Sequence, residues 1–170
     1  MSKIVFLDVD GTLIDYEAKL PASAAKAVDQ ARANGHKVYI CTGCSKAEIL
    51  QRNLCDLDGM IGGNGAYVED NGHVVMHQGL SKEDVKNIVD WCNERHIGFY
   101  LEANSGMYCN DYMLEQGPET MVKYAKGKGA SLENAKSSAQ HFIDGFIHLQ
   151  GDELYLSLIH ISEPTRRTPI

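Results

Sequence analysis

Four consecutive apolar, β-favouring residues, Ile4-Val5-Phe6-Leu7, run directly into Asp8-Val9-Asp10-Gly11-Thr12. An unbroken apolar run of this length predicts a strand covered on both faces, as in a parallel sheet. Ending that strand on two carboxylates narrows the fold further. In open α/β sheets the carboxyl ends of the parallel strands form the crevice where ligands bind. Asp8 and Asp10 are two apart, so on an extended backbone both project to one side. Carboxylates this close repel unless a cation or a shared proton relieves them. Mg2+ suits the pair, because it takes oxygen ligands, keeps several waters and partners phosphate oxygens. Gly11 allows a sharp turn without a Cβ, and Thr12 can offer a hydroxyl or an amide N–H to the site. The plain alternative is an acidic turn that is merely solvated; the four apolar residues before it count against that.

The rest of the N-terminal half repeats the strand–helix alternation. A helix is predicted from Ala22 to Asn34, with apolar positions at Ala24, Ala27, Val28 and Ala31, Pro21 near its start and Gly35 just past its end. Lys37-Val38-Tyr39-Ile40-Cys41 reads as a second buried strand. Ser45-Lys46-Ala47-Glu48 has the form of a capping box opening another helix, and Asp58 to Ile61 reads as a third strand. Strand–helix–strand–helix–strand is the signature of a doubly wound, Rossmann-like α/β sheet.

The pattern then changes. Ala66 to Glu69 and His73 to Met76 flank Asp70-Asn71-Gly72, a hairpin signal. Ser81 to Asp84 opens an amphipathic helix with Val85, Ile88, Val89 and Cys92 on one face. Phe99-Tyr100-Leu101 and Met107-Tyr108-Cys109 predict an antiparallel pair. Asp111 to Gln140 is predicted helical, with breaks at Gly117-Pro118 and at Gly127 and Gly129, and Phe142 to Gln150 as a further strand. Trp91, Tyr100 and Tyr108 are assigned to the core of this second module, and Lys123, Lys126 and Lys128 to a solvated face.

Composition limits the function classes. Of 170 residues 44% are hydrophobic and 23% charged, enough apolar material for a core. A formal net charge of −7 argues against a general nucleic-acid binder, whose affinity comes largely from Lys and Arg on phosphates. It leaves small phosphorylated ligands open. No apolar stretch approaches the roughly 20 residues needed to span a bilayer, so no membrane partner is expected. The odd set of five cysteines, without a secretory signal, reads as free thiols in a reducing compartment, hence a cytoplasmic protein. Cys41-Thr42-Gly43-Cys44 has redox or metal-motif spacing, but no second Cys pair or His cluster completes a zinc site. The oligomeric state is left open.

Three segments carry a family resemblance. Phe6-Leu7-Asp8-Val9-Asp10-Gly11-Thr12-Leu13 resembles the first motif of the haloacid dehalogenase-like hydrolases, and Ile40-Cys41-Thr42-Gly43 resembles their second. Ile61-Gly62-Gly63-Asn64-Gly65-Ala66 is similar to the Asn-Gly-Ala segment of the Cof-type (IIB) branch, which inserts an α/β cap after the third core strand. The likeness runs from about Lys3 to Asp152. It implies residues 1–78 as the N-terminal part of an incomplete hydrolase core and 79–155 as a partial α+β cap. It also implies hydrolysis of a small phosphorylated metabolite, such as a sugar phosphate, through an aspartyl-phosphate. Asp8 would then be the nucleophile and Asp10 the acid and base. Mg2+ would sit on the Asp8 carboxylate and the Asp10 backbone carbonyl. Gly11, Thr12, Thr42 and Gly43 would line the phosphoryl group. Asn64 would touch substrate or orient the core–cap hinge, unless it is only a turn residue. A phosphomutase sharing the nucleophile is the alternative.

The chain departs from the family in two ways. Cys44 stands where the branch usually has Arg. The family's Lys motif and its second acidic pair follow the cap; Asp144 and Asp152-Glu153 come too early to supply them. Leu156 to Arg166 looks like the translated reading frame of a transposon-end adaptor used in DNA library preparation, so residues 156–170 are read as a non-native tail. A C-terminally truncated, weakly active or non-catalytic fragment is therefore expected.

Overall fold

The computed structural model describes residues 1–15, 19–149 and 158–162. The chain divides into two compact units, Met1–Gln78 and Gly79–Ile170. The first is built on a five-stranded sheet in the order β1-β2-β3-β4-β5: Ile4–Leu7, Lys37–Cys41, Gly59–Gly62, Tyr67–Asp70 and His73–His77. β1, β2 and β3 are parallel, with Val5 opposite Val38 and Ile40 opposite Met60. β4 and β5 continue as an antiparallel hairpin. Helices α1 (Ala22–Ala33) and α2 (Lys46–Gln51) make the two parallel crossovers. The architecture is the α/β sheet with helical crossovers that the alternation predicts.

The local reasons are visible. Pro21 holds an extended conformation before α1, and Gly35 takes φ +81° just beyond it, turning the chain back into β2. The Ser45 side chain accepts the Glu48 amide at 3.2 Å and opens α2. Asp58, only 6% exposed, fastens the start of β2 to the loop before β3. Its carboxylate accepts the Val38 amide at 2.8 Å and the Lys37 ammonium at 3.0 Å, and the Arg32 guanidinium lies 3.3 Å away. The Val38 amide first, then these cations, hold its pKa below the usual carboxylate range against the cost of burial.

One expectation fails in β1. Its apolar run predicts burial on both faces, yet Ile4 is 62% and Phe6 55% exposed. The Phe6 ring packs at 5.7 Å on Tyr39 of β2. The unit's core lies on the other side and at the strand ends, around Val9, Leu13, Val38, Ile40 and Met60.

The second unit begins with α3 (Lys82–Glu94), capped by Ser81 on the Asp84 amide at 3.1 Å. It continues through β6 (Tyr100–Ala103), β7 (Gly106–Cys109), α4 (Asp111–Gly127), α5 (Leu132–Asp144), β8 (Phe146–His148) and β9 (Leu158–Ser162). The sheet order is β8-β7-β6-β9. Val85, Val89 and Cys92 of α3 pack with Phe99, Leu101 and Tyr108, and Cys109, Met113 and Ile143 form a second cluster.

Several boundaries and core assignments need correction. Helix α4 runs straight through Gly117-Pro118. A Cβ on Gly117 would lie 2.7 Å from Met113 Cε and 3.1 Å from Ile143 Cδ1, so this glycine serves the close approach of α4 to α5 rather than a break. The final strand starts later than predicted, because Phe142 to Asp144 complete α5; Phe146–His148 pair in parallel with β7, the Leu149 amide donates to the Cys109 carbonyl at 2.9 Å, and Gln150 lies outside the described residues. Trp91 and Ile88 are 40% and 38% exposed, off the buried stripe of α3; Arg95 lies over the Trp91 ring at 4.5 Å. Part of the tail, 158–162, pairs antiparallel with β6 through an irregular register. An apolar segment joins an open strand edge whatever its origin. The remaining tail residues, including Arg166-Arg167, and Asp152-Glu153 lie outside the described residues.

Candidate active site

The site forms where β1, β2 and β3 end. After Leu7 the chain turns tightly: the Leu13 amide donates to the Asp8 carbonyl at 3.2 Å, and the Ile14 amide donates to the Val9 carbonyl at 3.0 Å. Gly11, with φ +76°, makes this turn possible without strain. Val9 is fully buried between Asp8 and Asp10, and both carboxylates are left exposed. The Thr12 hydroxyl donates to Asp8 Oδ2 at 3.3 Å. A cavity of about 470 Å3 opens beside the turn, walled in part by Gly11, Thr12 and Asp15.

β2 delivers the second loop. Thr42 is buried, with its amide on the Ile61 carbonyl at 2.9 Å and its hydroxyl accepting the Cys44 amide at 3.2 Å. β3 delivers the third, a single 3-10 turn Gly63–Gly65 in which Asn64 takes φ +54°. The Gly63 amide donates to the Cys44 carbonyl at 2.9 Å and ties the two loops together. A Cβ on Gly43 would sit 3.1 Å from Asn64 Oδ1, so the bare Gly43 backbone is what lets this asparagine approach.

Asp10 is joined to the second loop by side chains that the motif reading does not include. Arg52, at the C-terminal end of α2, directs Nη1 onto Asp10 Oδ1 and Nη2 onto Glu48 Oε1, the latter at 2.5 Å. Cys44 Sγ lies 3.6 Å from Arg52 Nη2 and 3.7 Å from Asp10 Oδ2. Burial, helped by the Glu48 charge, pushes the Cys44 thiol up to about 12, so it is neutral at physiological pH. Burial alone would lower the Arg52 pKa, but the net shift is upward, with the Glu48 and Asp10 carboxylates among its causes. The i,i+4 spacing of Glu48 and Arg52 was the sequence signal for one half of this arrangement.

Asp8 and Asp10 present hard, exposed oxygens, the donor chemistry that Mg2+ prefers. Among the described residues no three His, Cys, Asp or Glu side chains are grouped around a metal position. An ion on the Asp8 carboxylate would therefore draw its other ligands from backbone carbonyls, water or a bound phosphate. All five cysteines are free thiols, Cys41 and Cys44 included.

A profile of the haloacid dehalogenase-like hydrolase family matches residues 5–160. The chain belongs to this family. It is 31% identical over 114 residues to the 5-amino-6-(5-phospho-D-ribitylamino)uracil phosphatase YwtE of Bacillus subtilis, covering 66% of this chain and 37% of that protein. Its fold is similar to that of a haloacid dehalogenase-like hydrolase from B. subtilis, with a TM-score of 0.68 at 22% identity over 89% of this chain and 56% of the other. It is also similar in fold to the subclass IIB sugar phosphatase BT4131, with a TM-score of 0.62 at 23% identity over 95% and 57%. The chain thus spans little more than a third of that curated relative and somewhat over half of these solved chains. Among the described residues no helix is long and apolar enough to cross a membrane.

Proposed function

We propose that the protein carrying this chain is a cytoplasmic, Mg2+-dependent phosphatase that hydrolyses small phosphorylated metabolites through an aspartyl-phosphate on Asp8. One observation carries the reading. Three loops at the ends of the parallel strands β1, β2 and β3 carry exposed Asp8 and Asp10, buried Thr42 and the Gly43–Asn64 contact. The name of the YwtE relative supports a phosphorylated metabolite as substrate class.

In this reading an Asp8 oxygen attacks phosphorus while the Thr12 hydroxyl, on the other carboxylate oxygen, keeps the attacking one aimed. Asp10 gives a proton to the leaving oxygen. It then takes one from the water that attacks phosphorus in the aspartyl-phosphate, releasing phosphate and restoring Asp8. Thr42 and the backbone around Gly43 hold phosphoryl oxygens, and Asn64 bounds the substrate side. Mg2+, held by the Asp8 carboxylate and the Asp10 backbone carbonyl, would neutralise charge on the phosphoryl group. The five free thiols fit a reducing compartment.

The test is phosphate release from a panel of sugar phosphates and nucleotide monoesters, with Mg2+ and with EDTA. The proposal expects Mg2+-dependent release that EDTA abolishes. Metal-independent release, or isomerised sugar phosphate as the main product, would overturn it.

A further inference from the structure

Resting on that reading, we propose that Arg52 is the positioning residue for Asp10: its guanidinium bridges from the Glu48 carboxylate to Asp10 and holds the acid–base carboxylate in one orientation. The Asp10 side chain is 58% exposed and would otherwise be free to sample its staggered rotamers. Apart from Cys44 Sγ, Arg52 is the contact the described structure places on its oxygens. Arg52 is well placed to impose an orientation. Its own side chain is 19% exposed, and its Glu48 brace is 12% exposed and lies one turn earlier on α2. The planar fork of a guanidinium engages two carboxylates in fixed directions at once, which a lysine ammonium does not. Cys44, a small side chain in contact with both Arg52 and Asp10, closes the third side of the triangle. The second loop thereby acts on Asp10 through α2 rather than through a residue of the motif itself.

A positioning role differs from phosphate binding in what it disturbs. Loss of Arg52 would misalign proton transfer and spare ground-state binding, so kcat falls and KM stays. The experiment compares the protein at the length of its relatives with its Arg52→Gln, Arg52→Lys and Glu48→Gln variants. It reads p-nitrophenyl phosphate turnover and the Hα–Hβ NMR couplings of Asp10. The expected result is a kcat lowered by about 10- to 100-fold in Arg52→Gln, with KM within about twofold of wild type. Arg52→Lys and Glu48→Gln should fall between. The Asp10 couplings should change from those of a single χ1 rotamer in the wild type to rotamer-averaged values in Arg52→Gln. An unchanged kcat with unchanged couplings would overturn the proposal. So would a raised KM at constant kcat, which would make Arg52 a substrate ligand. Should the wild type and Asp8→Asn both lack turnover, the phosphatase reading fails. The Asp10 couplings then still decide: averaging on loss of Arg52 supports the positioning role, and identity with wild type refutes it.

Discussion

Asp58 shows at the residue scale how a polar group outside the site sets its geometry. Buried between the Val38 amide, Lys37 and Arg32, it fixes the spacing of β2 and β3, whose ends carry Thr42 and Asn64. Its pKa is depressed in the folded state. Its contribution to stability is therefore present above the unfolded carboxylate pKa and is lost as the pH falls through the lower folded value. Asp58→Asn should cost about 1–3 kcal/mol in urea unfolding at neutral pH. It should cost much less at a pH below the folded Asp58 pKa; an equal loss at both would disprove the electrostatic account. Asp8, Asp10, Thr42 and Gly43 could be placed on strand ends from the sequence, because an apolar run followed by such residues has few other arrangements. Arg52 could not. Its meeting with Asp10, 42 positions away, depends on how α2 docks, and no local pattern encodes that.

At the scale of elements, capping chemistry was legible and close packing was not. Ser45 and Ser81 announce α2 and α3 because a side-chain oxygen three residues before an amide is a local event. Gly117-Pro118 reads as a break, yet it lies inside α4, where contact with α5 outweighs the propensity of two residues. The β1 run reads as doubly covered because periodicity reports apolarity, not what lies over it. Gly59 is the position where packing tolerates least. A Cβ there would fall 2.1 Å from the Glu69 carbonyl oxygen across the β3–β4 ladder. Gly59→Ala should destabilise the first unit by about 3 kcal/mol. Amide exchange in β3 and β4 should rise, with α4 and α5 unaffected. Wild-type exchange rates in β3 and β4 would contradict the contact.

At the scale of the whole molecule, exposed apolar side chains are the conspicuous feature of the first unit. Ile4 and Phe6 on β1, with Val74 and Val75 on β5, each leave more than half of their surface in water. Exposure of this kind marks surfaces that bind apolar probes or self-associate. The 170-residue chain should bind the dye ANS in its native state, and Ile4→Thr with Phe6→Ser should lower that fluorescence without lowering the melting temperature. Absent ANS binding would contradict it. The proposed phosphoryl transfer depends on Asp8 as the nucleophile. The most direct measurement is borohydride trapping during turnover in the protein at the length of its relatives, followed by peptide mass spectrometry. An acyl-phosphate on Asp8 is reduced to homoserine at that position, in a Mg2+-dependent manner, and Asp8→Asn loses both the trapped residue and phosphate release by about 1,000-fold or more. Phosphate release that continues with Asp8 unmodified, or that survives Asp8→Asn, would contradict the account.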